Sequence, residues 1–491
     1  MLEKIRTNFT FFGSISILFG ILTACCFYKA GFGISFLIFT AGISALLLVS
    51  LHRLTGTLKR YTFFCCLANV LLAASTLFTA NSFLRFLTIT GILILFDLAL
   101  VHQLNEDFGY TFFQFLGHII RLPFGAIAAI GYPFVDLFRF TSRTRLFKND
   151  TFRNILFGLI AAIPILGVVL LLLTNADQIF NRLAGGLIRN FVFSSDPFFC
   201  FLLILAGFVF CYAVLCAAGT IPQPASEISD SKSQKLNPVF LSTILSCITL
   251  VYLLFCGIQI LYLFAGGLFT LPEEFTYSEY ARKGFFELLF VAVINFLILL
   301  VCVSRAERTK LIRILLTVMS GCTFIMIASA AYRMGLYVAS YHLTMLRLLV
   351  LFFLGILTIL MSCATAAVYR EQFPLFFCTA AVLAGGLFVL NLARPDALIA
   401  RYNISAVAEY TDDDVHYLLT LSEDAAPEVF SLLKEHPELF EQYPYLMDRV
   451  NHSYVPDIEE AYEERGIRGF HFSYYWAYQA LEEYLRPSFM N

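Results

Sequence analysis

Long apolar runs, separated by short polar stretches, fill the chain from residue 9 to residue 392. A membrane-crossing helix needs about 20 mostly apolar residues, because it rises 1.5 Å per residue through a hydrocarbon core about 30 Å thick. On that criterion the runs predict spans near 9–28, 31–51, 61–80, 84–103, 153–174, 197–219, 239–265, 284–304, 311–332, 345–368 and 373–392, about eleven in all. Helix is the assignment because an isolated span in lipid must satisfy every backbone group internally. Residues 108–140 are Phe-rich but broken by His118, Arg121, Pro123, Asp136 and Arg139, and predict interfacial or re-entrant helices instead. Residues 178–191 place Phe180, Leu183, Leu187 and Phe191 on one face and Asn181, Arg182, Arg189 and Asn190 elsewhere, the pattern of an interfacial helix.

The apolar pattern breaks twice. Residues 220–238 (TIPQPASEISDSKSQKLNP) are Ser/Pro-rich and polar, and read as a flexible cytoplasmic linker. They divide an N-terminal membrane half (1–219, about six spans) from a C-terminal half (239–392, about five spans). From 393 to 491 the periodicity is that of four or five short amphipathic helices, a small soluble domain. Thr411 before Asp412, Asp413 and Asp414 marks one helix start, and Ser473 is a candidate cap for the last helix. The fold class expected is therefore all-α: a polytopic helical bundle with a soluble helical tail.

Composition supports this reading and adds an orientation. Hydrophobic residues make up 59% of the chain and charged residues 14%, against about 25% charged in soluble domains. Too much apolar surface exists for one water-soluble core, and a bilayer supplies the missing solvent. The formal net charge of -2 gives no electrostatic case for nucleic acid. That average conceals a split, since the tail carries 19 acidic and 7 basic residues. Starting with the N-terminus inside, the inner segments carry 18 Lys/Arg and the outer segments 9, counting Arg394 at the start of the tail. The positive-inside rule then places the N-terminus in the cytoplasm, and an odd span count places the tail outside. All 13 cysteines lie at or before Cys378, in or beside apolar stretches, where they act as small hydrophobes.

Ionisable groups at bilayer depth are costly, so each is a site hypothesis by default. Asp97 and His102 in the fourth span and Asp177 after the fifth are candidate proton or ion sites. A denser group sits at the outer face: Tyr280, Arg282, Glu287 and Asn295 around the eighth span, and Arg333, Tyr337, Tyr341 and Arg347 between the ninth and tenth. If helical, Tyr280, Lys283 and Glu287 share one face, and Arg333, Tyr337 and Tyr341 share another. Arg beside Tyr suits an anionic lipid or sugar phosphate. The bland alternative is an interfacial belt of Tyr and Arg reaching to headgroups. No Gly-rich phosphate loop, nucleophile elbow or paired metal ligands occur, and no cofactor is implied. Three function classes remain open: transport or handling of an envelope solute or lipid, an outer-face transferase acting on a lipid-linked substrate, and a sensor or assembly protein whose acidic tail docks a protein partner.

Five motifs carry a family likeness: Ala176-Asp177-x-x-Phe180; Tyr280-Ala281-Arg282-x-Gly284-Phe285 with Asn295; Tyr341-x-Leu343-Thr344-x-Leu346-Arg347; Asp396-Ala397-x-Ile399-Ala400-Arg401-Tyr402-Asn403; and Ser422-x-Asp424-Ala425-x-Pro427. In this order they resemble an uncharacterised family of bacterial multipass membrane proteins, a domain of unknown function of the 4153/4173 type. The resemblance implies a bacterial cell-membrane protein and supplies neither reaction nor ligand. Glycine is expected where His342 stands.

Overall fold

The computed structural model describes residues 1–104, 112–143, 196–220, 236–260, 284–307, 309–370, 373–407, 409–463 and 466–486, with isolated positions between 155 and 173. Among the described residues 88% are helical and none forms a strand. Ten described helices are long and apolar enough to cross a membrane. They are α2 (Phe9–Phe27), α3 (Ile34–Thr55), α4 (Arg60–Ser75, continued by a 3-10 turn Thr76–Phe78), α5 (Ser82–Leu104), α8 (Asp196–Thr220), α9 (Pro238–Gln259), α10 (Phe285–Arg305), α11 (Lys310–Tyr341), α12 (Met345–Tyr369) and α13 (Leu375–Ala393). They match ten of the eleven expected spans. The expected span at 153–174, the interfacial helix at 178–191 and most of the 220–238 linker lie outside the described residues.

A short helix α1 (Leu2–Thr7) precedes the bundle, and α6 (Phe112–Ala128) and α7 (Tyr132–Arg143) follow α5. α6 and α7 meet at a 50° bend. Both lie at one end of the bundle. Phe115 of α6 stacks on Phe376 at the start of α13, with ring centroids 4.6 Å apart. Gly125, near the other end of α6, packs on Ala217 close to the end of α8. In α7, Asp136 accepts two hydrogen bonds from Arg6 Nε (3.1 and 3.0 Å), one from Arg6 Nη2 (2.9 Å) and one from the Tyr212 hydroxyl (3.1 Å). α6 therefore runs across the bundle end and not through it. This end also carries Arg53, Lys59, Arg60, Arg305, Lys310, Arg313 and Arg370 at helix termini, and is called the basic end below. α7 and the start of α8 lie at opposite ends of the bundle.

Glycine sets the closest crossing. A Cβ on Gly20 of α2 would lie 2.2 Å from the Ile204 carbonyl oxygen of α8, and one on Gly207 would lie 2.7 Å from Gly20 Cα. Small residues let helix backbones approach in lipid, where packing must replace the hydrophobic drive. Buried polar groups tie the other helices together. Asn295 of α10 donates to Thr323 Oγ1 of α11 (2.9 Å) and accepts from the Tyr252 hydroxyl of α9 (2.8 Å). Asn391 of α13 donates to Ser75 of α4 and Thr88 of α5, both at 2.9 Å. α13 therefore packs with α4 and α5 of the first half as well as with α12, its neighbour in sequence. Gln103 closes the α3–α4 turn, accepting from Lys59 N and Thr62 Oγ1 and donating to Thr55 Oγ1 and Thr57 O.

Among its described residues the tail holds seven α-helices, more than the four or five expected: α14 (Pro395–Ala406), α15 (Asp412–Leu418), α16 (Ala426–Glu435), α17 (Glu438–Gln442), α18 (Tyr445–Arg449), α19 (Val455–Glu463) and α20 (Phe472–Leu485). Several are a single turn between prolines, too short for periodicity to separate. The expected cap at Thr411 is present as a reciprocal capping box with Asp414. Ser473 does not cap α20. His471 precedes that helix, and the Ser473 hydroxyl is drawn to Asp424 instead.

Candidate functional site

The outer-face residues divide among separate structural tasks. α11 continues to Tyr341, so Arg333, Tyr337 and Tyr341 do lie one turn apart along one helix. Arg347 Nη1 donates to the carbonyls of Tyr341 (2.5 Å) and His342, and its guanidinium lies 4.4 Å from the Tyr337 ring centre. It closes the C-terminus of α11, where orphan carbonyls need donors. Arg333 lies a turn deeper, buried, with Nη2 3.5 Å from Gln259 Oε1 of α9. Asn295 is consumed by the Tyr252–Thr323 bridge. Glu287 is exposed in the first turn of α10. That helix starts after Gly284, whose φ is 86°. Tyr280, Arg282, Lys283 and Asp177 lie outside the described residues, and with them the shared face expected for Tyr280, Lys283 and Glu287.

The tail is fastened to three membrane loops at the end opposite the basic one. Asp424, fully buried, accepts from Thr79 Oγ1 (2.6 Å), Ala80 N (3.1 Å) and Ser473 Oγ, with Arg394 Nε 3.8 Å away. Arg394 also stacks over Trp476 (4.6 Å) and donates to the Asp424 carbonyl (3.0 Å). Burial pushes the Asp424 carboxyl above the usual carboxylate range, against the downward pull of Ser473, Thr79, Arg394 and the Ala80 amide. Asp396 accepts from Asn81 Nδ2 (2.8 Å) and Ser422 Oγ. Asn403 grips the Leu343 backbone at both ends, accepting from its N–H (2.8 Å) and donating to its carbonyl (2.9 Å). On the third loop, Ile34 N donates to the Phe470 carbonyl (3.1 Å). Asp396, Asn403, Ser422 and Asp424 all belong to the motifs quoted above, so those motifs build the joint between bundle and tail. His342 stands at φ 63° and ψ 173°, a conformation that suits glycine, as the resemblance leads one to expect.

Asp97 and His102 do not pair. His102 packs between the Tyr61 and Phe377 rings, 5.0 and 5.1 Å away, on the α4–α13 side. Asp97 lines a cavity of about 330 Å³ between α2, α3, α5 and α8. The rest of its lining is apolar save for Thr40 and Ser50, and Phe19, Phe39, Phe96 and Phe210 contribute aromatic walls. The hydroxyls of Thr40 and Ser50 are already spent on their own helix, bonding to Phe36 O and Leu46 O. Asp97 is the cavity's single ionisable carboxyl, and among the described residues no side chain is bonded to it. The cavity reaches the bundle surface between α5 and α8, where Leu93 and Phe210 line it and are 56% and 57% exposed.

A family model, Domain of unknown function (DUF4153), matches residues 66–432, more than half of the chain. The chain belongs to the DUF4153 family. The match takes in Asp97 and runs into the tail past Asp396 and Asp424, while Ser473 and Trp476, on the other side of that joint, lie beyond it. No curated protein and no solved structure matches the chain. Many-span membrane architecture is shown by the helices, and the DUF4153 assignment is consistent with it.

Sequence reasoning passed over Asp136, which holds the N-terminal helix to α7 and α8. Its signal was present: an acid within an apolar, Phe-rich stretch needs a cation, and Arg6 is available at the same bundle end.

Proposed function

We propose that this DUF4153 protein handles a lipid-like amphiphile in the cell membrane, as a transporter or flippase does, with the basic end in the cytoplasm and the acidic tail outside. The cavity around Asp97 carries the proposal. It is narrow and almost wholly apolar, it extends from Phe36 to Ser50 along α3, a rise of about 21 Å at 1.5 Å per residue, and it opens sideways toward lipid. A hydrophilic solute would find few partners there, whereas an apolar chain would fill it. The 330 Å³ volume lies at the small end of the range of ligand sites, about 300–1,000 Å³. The transferase reading receives less support, because Asn295 and Arg347 are engaged in bonds within the protein.

Replacing Phe210 with a photoreactive phenylalanine tests the reading in native membranes. The expected result is crosslinking to a restricted set of apolar-chain molecules, lost when Ser50→Phe fills the cavity. Leu250 on α9 is 71% exposed and serves as the control for bulk lipid contact. Identical lipid profiles from positions 210 and 250 overturn the reading.

A further inference from the structure

We infer that the occupant of the α2–α3–α5–α8 cavity is a cationic amphiphile, an apolar chain that ends in a protonated amine, with the ammonium held by Asp97. This deepens the reading above and rests on it. Two observations on the cavity point to the charge. First, Asp97 is a lone carboxyl at about seven residues, or roughly 10 Å of helix, from the end of α5, with no cation bonded to it among the described residues. Charged groups in the hydrocarbon region are costly unless paired, and they face a cavity or partner when they persist. Two of the buried acids have a cation: Asp136 has Arg6, and Asp424 has Arg394 with three hydrogen-bond donors; the third, Asp396, has none but accepts from Asn81 and Ser422. Asp97, half-buried, has neither a cation nor a donor among the described residues, and it faces an apolar cavity. A ligand ammonium completes the pair.

Second, the walls around the slot are the walls an ammonium prefers. Phe19 lies 5.9 Å from Phe39 and 6.2 Å from Phe210 by ring centroids, and Phe27 lies 4.6 Å from Phe39. All four rings line the same cavity as Asp97. Aromatic faces attract a desolvated ammonium through the ring quadrupole. A cavity that is lined by several rings and holds one carboxylate is thus matched to an organic cation. An anionic lipid would place like charge against Asp97 and is excluded from that depth by repulsion. No bond is made or broken in this step; the ligand binds as the ammonium and leaves as the ammonium.

The test uses the full chain in nanodiscs and native mass spectrometry at pH 7, with dodecylammonium and dodecanol as paired probes of equal chain length. Wild type is expected to bind the amine at least tenfold more tightly than the alcohol. Asp97→Asn is expected to bind both alike at the level of the alcohol, and Asp97→Glu to keep the preference. Ser50→Phe is expected to bind neither. Equal binding of amine and alcohol by wild type overturns the inference, whatever the variants do, and means that Asp97 is neutralised by a proton. It leaves the cavity reading standing as long as Ser50→Phe abolishes both. If Ser50→Phe, folded by circular dichroism, leaves both probes bound, the cavity is not their site and both readings fall.

Discussion

The joint at Asp424 gives a sharp quantitative expectation. Asp424→Ala removes the acceptor of the Thr79 hydroxyl, the Ala80 amide and the Ser473 hydroxyl, and the counter-ion of Arg394. The hydroxyls can rotate toward other acceptors, but the Ala80 N–H cannot. Removing one partner of a buried charged network costs about 3–5 kcal/mol, and stranding a buried donor about 1–3 kcal/mol. Arg394 is partly exposed at 22% and keeps the Trp476 face, so the lower part of that range applies. The net loss is about 2–4 kcal/mol, which converts to roughly a 30- to 700-fold rise in the open population of the joint.

The joint opens locally if the tail detaches before the bundle unfolds. Limited proteolysis of the detergent-purified chain then reads the open population directly, as faster cleavage within 395–486 at unchanged α-helix content. Hydrogen exchange at Ala80 N–H should rise by the same factor. Asp424→Asn retains the shape and an acceptor for Ala80, and should cost less, about 1–2 kcal/mol. The pH dependence has a definite sign. Burial raises the Asp424 carboxyl in the folded joint above its unfolded value of about 4. Its contribution to stability is then complete below the unfolded value and is lost as pH rises through the folded one. Protease resistance of the joint should increase on acidification, and Asp424→Asn should flatten this trend. Unchanged cleavage and unchanged Ala80 exchange in Asp424→Ala would refute the reasoning.

Gly20→Ala drives a Cβ to 2.2 Å from the Ile204 carbonyl, so the α2–α8 crossing must open and thermal stability in detergent should drop; Gly125→Ala, with ordinary 3.4 Å contact, is the control. His342→Gly relieves a conformation that costs a non-glycine residue about 1–3 kcal/mol, at the loss of one weak 4.0 Å contact to Asp414, and should raise the melting temperature. Asn295→Leu removes the Tyr252–Asn295–Thr323 bridge, worth about 0.6 kcal/mol and at most about 1.7 kcal/mol per hydrogen bond in a membrane protein. It should lower stability modestly and leave probe binding in the Asp97 cavity unchanged. Protease added to intact cells should remove the tail, since the proposed orientation places Lys434 outside; protection of the tail in intact cells, and cleavage only after lysis, would reverse the sidedness.

Spans were legible because length and apolarity are local properties. Ten helices appeared where runs of about 20 apolar residues predicted them. The partners of polar residues were not, because they are set by contacts far apart in the chain. Asn295 meets a hydroxyl 43 residues before it, and Asp424 meets Thr79 across 345. Ser473 shows how a local rule loses: it stands where a cap belongs, but a buried carboxylate is the stronger acceptor. The five motifs conveyed more than their residues said singly, since four of their polar side chains converge on the tail joint.

The same energetic rule that explains the joints isolates the cavity. In lipid, a polar side chain without a partner raises the free energy of the fold, so a bundle tends to pair every one it carries. Here Asn391, Gln103, Gln259, Asn295, Asp136 and Asp424 are all paired within the protein. Asn69 of α4 is fully buried without a hydrogen-bond partner. The register in which Thr62 faces Gln103 puts it near the level of Leu95, within a turn of Asp97. Two such groups at one depth are a cost that packing alone does not return. Asn69 is sealed in and neutral, so it can serve only as a local weakness between helices. Asp97 is ionisable and faces open space, so its missing partner can arrive from the bilayer. This difference in access, more than the chemistry of either side chain, is why we place the proposed ligand in the α2–α3–α5–α8 cavity and not beside Asn69.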